Sequence, residues 1–117
     1  MPAVPLASVM RSAVARRDVV ALARAARAAG PEELVNAWPK LSSVARVAAF
    51  RALDAKSRAQ VFAALPAHAR WVAYLGCTSE GAAPLLEGAA AAARRELRAP
   101  TAREIASMRR ALVEERA

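Results

Sequence analysis

Three arginines, Arg46, Arg58 and Arg70, stand at twelve-residue intervals along this chain. A guanidinium carries five N–H donors in a planar fork, matched to carboxylates, phosphates or paired carbonyls. Evenly spaced, the three could each close the end of a neighbouring helix, where positive charge is favoured. They could instead line a groove for acidic protein segments or phosphates. The structural use carries more weight, because positions kept through a repeat usually preserve the stack. Lys40, Arg51 and Lys56 lie off that column and are expected to be exposed, ready for contact with a partner. Trp71 also stands off the aromatic column of the repeat. On an open surface it would be a binding hot spot, although packing in the core is its more ordinary use.

Other chemistry finds little support. His68 and Cys77 are the only soft metal ligands, and a zinc site needs three or four. A nucleophile–base pair would have to use the same two residues, with no orienting third group. There is no Gly-rich phosphate loop and no pair of carboxylates in an apolar setting. The adjacent acids, Glu32-Glu33 and Glu114-Glu115, sit beside helix ends or basic neighbours and make a poor magnesium site. The expectation is a non-enzymatic protein with no metal and no cofactor.

The elements that hold these residues follow from the repeat. Read from Leu41, the middle of the chain divides into LSSVARVAAFRA, LDAKSRAQVFAA and LPAHARWVAYLG. Each unit starts with Leu (Leu41, Leu53, Leu65), has Arg at its sixth position and an aromatic at its tenth (Phe50, Phe62, Tyr74). The preceding AGPEELVNAWPK keeps the aromatic, Trp38, but has Leu34 where Arg would be. A twelve-residue period fits one helix of about ten residues and a two-residue turn. The apolar positions are helical, not alternating: Val44, Val47 and Phe50; Val61, Phe62 and Leu65; Trp71, Tyr74 and Leu75. Ser42 or Ser43 and Asp54 are candidate N-caps, and Pro66 suits a first turn. The repeat helices are placed at 42–52, 54–64 and 66–75, with Gly76 ending the last in a left-handed cap. Phe50 and Phe62 are expected in the core, with Trp38 and Tyr74 at the ends of the array.

Around this repeat core (31–76) the sequence predicts one longer N-terminal helix over 6–29, stopped by Gly30-Pro31. Its apolar surface would come from Leu6, Val9, Met10, Val14, Val20 and Leu22. A short helix follows, with Glu32 and Glu33 in its first turn and Pro39 ending it after Trp38. GCTSEGAAP (76–84) reads as the longest loop, followed by a helix from Pro84 to about Arg98. The last helix opens on Thr101-Ala102-Arg103-Glu104, a capping-box pattern, with Ile105, Met108 and Leu112 as its apolar stripe. The fold class is therefore all-α: a superhelical stack of short helices flanked by a longer N-terminal helix and two C-terminal helices (84–116), in one domain.

The aligned units resemble the N-terminal helical domain of MgtE-type magnesium transporters and, more distantly, the middle region of the flagellar switch protein FliG. Leu53-Asp54 through Arg58-Ala59 to Val61-Phe62 carries the resemblance most closely, and Leu65-Pro66 through Arg70 to Tyr74 shares it. It covers about 31–76, or up to 98 if the Pro84 helix is a further unit. The resemblance implies a helical superhelix. The transporter domain is acidic and helps to sense magnesium; this chain is basic, so metal sensing is not expected to carry over.

The net charge is +8, unevenly spread. Residues 1–30 hold five Arg against one Asp, and residues 31–75 hold six bases against three acids. An acidic partner would therefore be met on the N-terminal helix and the repeat. One cysteine excludes an internal disulfide and fits a reducing compartment, taken as the cytoplasm. No uncharged apolar run reaches the roughly 18 residues of a membrane span, so the chain is expected to be soluble. The N-terminus has the Arg and Ser of an organellar transit peptide, yet the Ala/Arg bias runs through the whole chain, as in a protein from a GC-rich bacterial genome. Residues 6–29 make a weak membrane-surface helix, since their Arg residues are spread around it.

Two functions fit these features. The first is a protein–protein interaction module, a scaffold or adaptor that takes an acidic or amphipathic helix, with a homodimer through the first helix as a variant. The second is a basic helical nucleic-acid-binding protein, for which Arg16 and Arg17 are the residues to test. Against the second, the bases are interspersed with Ala and not with aromatics that could stack on nucleobases.

Overall fold

The turn between repeat units has nearly the same backbone each time. Leu41, Leu53 and Leu65 lie in extended conformation (φ −91°, −74°, −75°; ψ 146°, 155°, 148°). Each unit then opens a helix two residues on. Ser42 and Asp54 cap the next helices by accepting from the amides of Ala45 and Ser57. The three Leu side chains are buried, so this column is core. A single extended Leu, followed by a capping residue, thus both breaks the helix and anchors the break.

The computed structural model describes residues 5–77, 95–97 and 100–116. Among these residues there are seven α-helices and no strand: α1 (Leu6–Ala15), α2 (Val19–Ala29), α3 (Pro31–Ala37), α4 (Ser43–Ala52), α5 (Ala55–Ala64), α6 (Ala67–Cys77) and α7 (Ala102–Arg116). A short 3₁₀ turn, Trp38–Lys40, joins α3 to α4 around Pro39. The chain is all-α, and none of these helices is long and apolar enough to cross a membrane.

From α2 to α6, helices two apart in sequence pack on each other. α2 lies on α4, α4 on α6, and α6 on α7, while α3 lies on α5; α1 covers α2 and also meets α3 and α4. From α2 to α6, successive helices therefore fall into two rows, α2, α4 and α6 in one and α3 and α5 in the other. The largest fully buried side chains are Met10, Leu34, Phe50, Leu53, Val61, Leu65 and Leu112. Trp38 packs edge-on against Phe50, with ring centroids 6.5 Å apart. That contact draws Trp38, expected at the loose end of the array, into the core beside Phe50.

Four features depart from the sequence reading. The expected helix over 6–29 is two helices, broken at Arg16–Asp18. The amide of Asp18 donates to the carbonyl of Ala13 and that of Arg17 to Val14, with Arg17 at φ 55°. This pair of hydrogen bonds marks a left-handed helix end. Asp18 then restarts the chain, its carboxylate accepting from the amide of Ala21. Gly76 does not end α6; it lies inside it, buried against α4, where a Cβ would stand 2.7 Å from Cγ2 of Val47. Val44 and Leu75 belong to the expected apolar stripes, yet each is about half exposed (50% and 54%), because the row packing uses a narrower face. Val9, in the first stripe, is likewise exposed at the edge of α1. Most of the expected 76–84 loop and 84–98 helix lies outside the described residues.

Candidate functional site

Two of the three column arginines are consumed by the stack. Arg46 donates from Nε to the Trp38 carbonyl (2.9 Å) and from Nη2 to that of Pro39 (3.3 Å). Arg70 repeats the arrangement one period on, to Phe62 (3.0 Å) and Ala63 (2.8 Å), with its guanidinium 6.0 Å from the Phe62 ring. In both cases the fork reaches back eight and seven residues to carbonyls at the end of the preceding helix. These lie in the last turn, where carbonyls run short of intrahelical donors and carry the negative end of the helix dipole, although that of Trp38 also accepts from the amide of Leu41.

Arg58 breaks the pattern. Its equivalent carbonyls would be those of Phe50 and Arg51. Instead, Nη2 donates to Leu53 O (2.7 Å) and Nη1 to Glu104 Oε1 (3.0 Å) on α7. Arg58 is buried and Glu104 half-buried. The other oxygen of Glu104 accepts from the amide of Thr101, and Thr101 Oγ1 accepts from the amide of Glu104, completing the capping box read from the sequence. One carboxylate thus starts α7 and fastens it to the repeat. Met108 and Leu112 are buried and Ile105 half-buried, as the stripe predicts.

Arg51, expected on the surface, is buried to 6% exposure. It lies on the face of α4 turned towards α6 and Cys77, and its Nε has no hydrogen-bond partner among the described residues. Burial lowers its pKa from the usual arginine value. Burial also pushes the Cys77 thiol from 9.0 up to about 11, so it is not an activated nucleophile. His68 is exposed at the other end of α6, nine residues away, or about 14 Å along the helix. No three metal-ligating side chains come together among the described residues.

The remaining candidates divide by exposure. Lys40, Lys56, Arg16 and Arg17 are exposed, the last two side by side at the α1–α2 corner. Trp71 is half-buried against the core and stacks edge-on with Tyr74 (6.1 Å). The hydroxyl of Tyr74 accepts from Arg109 Nε (3.0 Å) on α7. Arg27, not singled out in the sequence, donates to the carbonyl of Ala52 at the end of α4 and pairs with Glu96. It uses the chemistry of the column from outside the repeat, so no period marks it.

An open groove of about 260 Å³ runs between α5 and α7. Phe50, Phe62 and Met108 form its apolar floor with the small Ala59, Ala63 and Ala111, and the Arg58–Glu104 pair crosses it. A shallower hollow lies between α3 and α5, around Val35 and Gln60. No family model matches the chain, and neither the curated proteins nor the solved structures hold a match.

Proposed function

We propose that this chain is a non-enzymatic protein–protein interaction module that binds an acidic or amphipathic segment of a partner. The observation that carries this reading is the division of its arginines. Arg46, Arg58 and Arg70 are spent on carbonyls and on Glu104, so their charge belongs to the stack. The exposed Lys40, Lys56, Arg103 and Arg110 are not needed to hold helices together, and among the described residues the exposed lysines and arginines outnumber the exposed acids Glu32, Glu33, Asp54 and Glu114. Surplus surface charge of one sign steers partners of the opposite sign. The likeness of the units to the MgtE N-terminal domain supports a superhelical module working beside other proteins in the cytoplasm. The buried, proton-holding thiol of Cys77 and its distance from His68 speak against covalent catalysis.

The test is a pull-down from native extract at moderate and high salt, with and without nuclease. A stoichiometric protein that survives nuclease is the expected result. A monomer that retains nothing would sink the reading.

Nucleic-acid binding is the second reading, favoured by the pair Arg16 and Arg17 exposed at the α1–α2 corner, with Arg11 and Arg24 exposed on the same two helices. It requires a salt-dependent shift of a duplex in a gel, abolished by charge reversal at Arg16 and Arg17.

A further inference from the structure

We infer that the groove between α5 and α7 is the docking site, and that its occupant is an amphipathic helix with acidic residues along its flanks. This rests on the interaction-module reading and names the place and chemistry of the contact.

Size argues for side chains delivered from a helix. At about 260 Å³, the groove is smaller than the roughly 300–1,000 Å³ of pockets that enclose a small molecule. It suits a few apolar side chains projecting from one face of a helix laid along it. The floor is apolar and aromatic, from Phe50, Phe62 and Met108, and Ala59 and Ala63 on α5 leave room for close approach.

Charge argues for acid flanks. The one ion pair in the groove, Arg58–Glu104, is internally neutralised. By helical spacing, Lys56 borders the Ala59–Ala63 wall on α5, and Arg103 and Arg110 border Ser107 on the outer edge of α7. All three are exposed, against Glu114 as the acid on that edge. A helix with glutamates beside its apolar stripe meets cations on both rims.

The chain also supplies a precedent. α7 is itself an amphipathic helix laid on the repeat, with Met108 and Leu112 buried and the acid of Glu104 on Arg58. An incoming helix would repeat that mode in the groove bordered by α7.

The experiment titrates the full chain with a synthetic peptide of about five helical turns, bearing a leucine stripe flanked by glutamates. A control peptide has lysines in place of the glutamates. Binding is read by calorimetry and by backbone amide shifts. The glutamate peptide should bind at least about tenfold tighter and shift amides of α5 and α7. Ala59→Trp with Ala63→Trp, both at exposed positions, should fill the groove and weaken it about tenfold or more. Lys56→Glu with Arg110→Glu should weaken it through the rim instead. Equal binding of the two peptides, no binding, or binding untouched by the tryptophans would overturn the proposal, as would a DNA duplex displacing the peptide. If the tryptophan variant still retains the pull-down partner, the groove is wrong while the interaction module stands.

Discussion

Arg58 and Glu104 meet at 3.0 Å across the boundary between the repeat and the C-terminal helix, and at that contact the twelve-residue arginine pattern changes its use. Before and after it, Arg46 and Arg70 bind carbonyls of the preceding helix. Here the fork turns to a carboxylate 46 residues away, and α7 is fixed on the array.

Glu104→Gln keeps the side-chain length and leaves Arg58 buried without its counter-charge. The expected destabilisation is about 2 kcal/mol in urea unfolding, and Arg58→Met alone should cost a similar amount. The double variant should lie well below the sum of the two, because both singles break one pair. Additive losses would mean that the pair is not coupled.

Arg46→Lys and Arg70→Lys keep the charge and lose the fork. A lysine ammonium cannot span two adjacent carbonyls in the same geometry, so each should lose about 1 kcal/mol. Lys56→Ala, at an exposed position, should stay within about 0.5 kcal/mol of the parent. Thermal melts of the three variants check this ranking.

Arg17 occupies the left-handed region at the end of α1, where glycine is the usual residue. Arg17→Gly should raise stability by about 1 kcal/mol, since relief of backbone strain exceeds the entropy gained by the unfolded chain. A lowered melting temperature would show that the arginine side chain offsets its own strain.

Gly76→Ala tests the α4–α6 contact. In an open helix this change stabilises by about 1 kcal/mol. Here the new Cβ would meet two methyl carbons of Val47 at 2.7 and 2.9 Å, on a short branched side chain that cannot swing clear. The expected sign is therefore reversed, with a loss of about 1–3 kcal/mol. Val47→Ala in the same chain should recover most of it.

Cys77 predicts an alkaline limit. Burial raises its folded pKa from 9.0 to about 11, so folding favours the neutral thiol. That contribution is complete below about pH 9 and is lost as pH rises from there through 11, by roughly 2 kcal/mol in all. The stability difference between the parent and Cys77→Ala, followed from pH 7 to about 11, should shrink over this window. A constant difference would contradict it.

Local signals settled the secondary structure where one residue both ended and restarted a helix. Leu41, Leu53 and Leu65 followed by a cap, Gly30-Pro31, and the Thr101–Glu104 box act through bonds within a few residues, so they are legible in one dimension. Asp18 is a signal of the same kind. It is masked by the continuous run of alanines and arginines on either side, and the break at Arg17 needed the left-handed turn to reveal it.

What the amino-acid sequence determined by itself was the helical class, the twelve-residue period and which columns would be Leu, Arg and aromatic, because short-range hydrogen bonding and burial along one helix set them. Tertiary structure alone decided that Arg58 faces Glu104, that Arg51 is buried beside Cys77, that Gly76 sits under Val47, and that α5 and α7 leave a groove. Each depends on how far apart two helix axes come to rest and on which face turns inward. Those quantities come from the packing of all the side chains at once, and no local spacing encodes them.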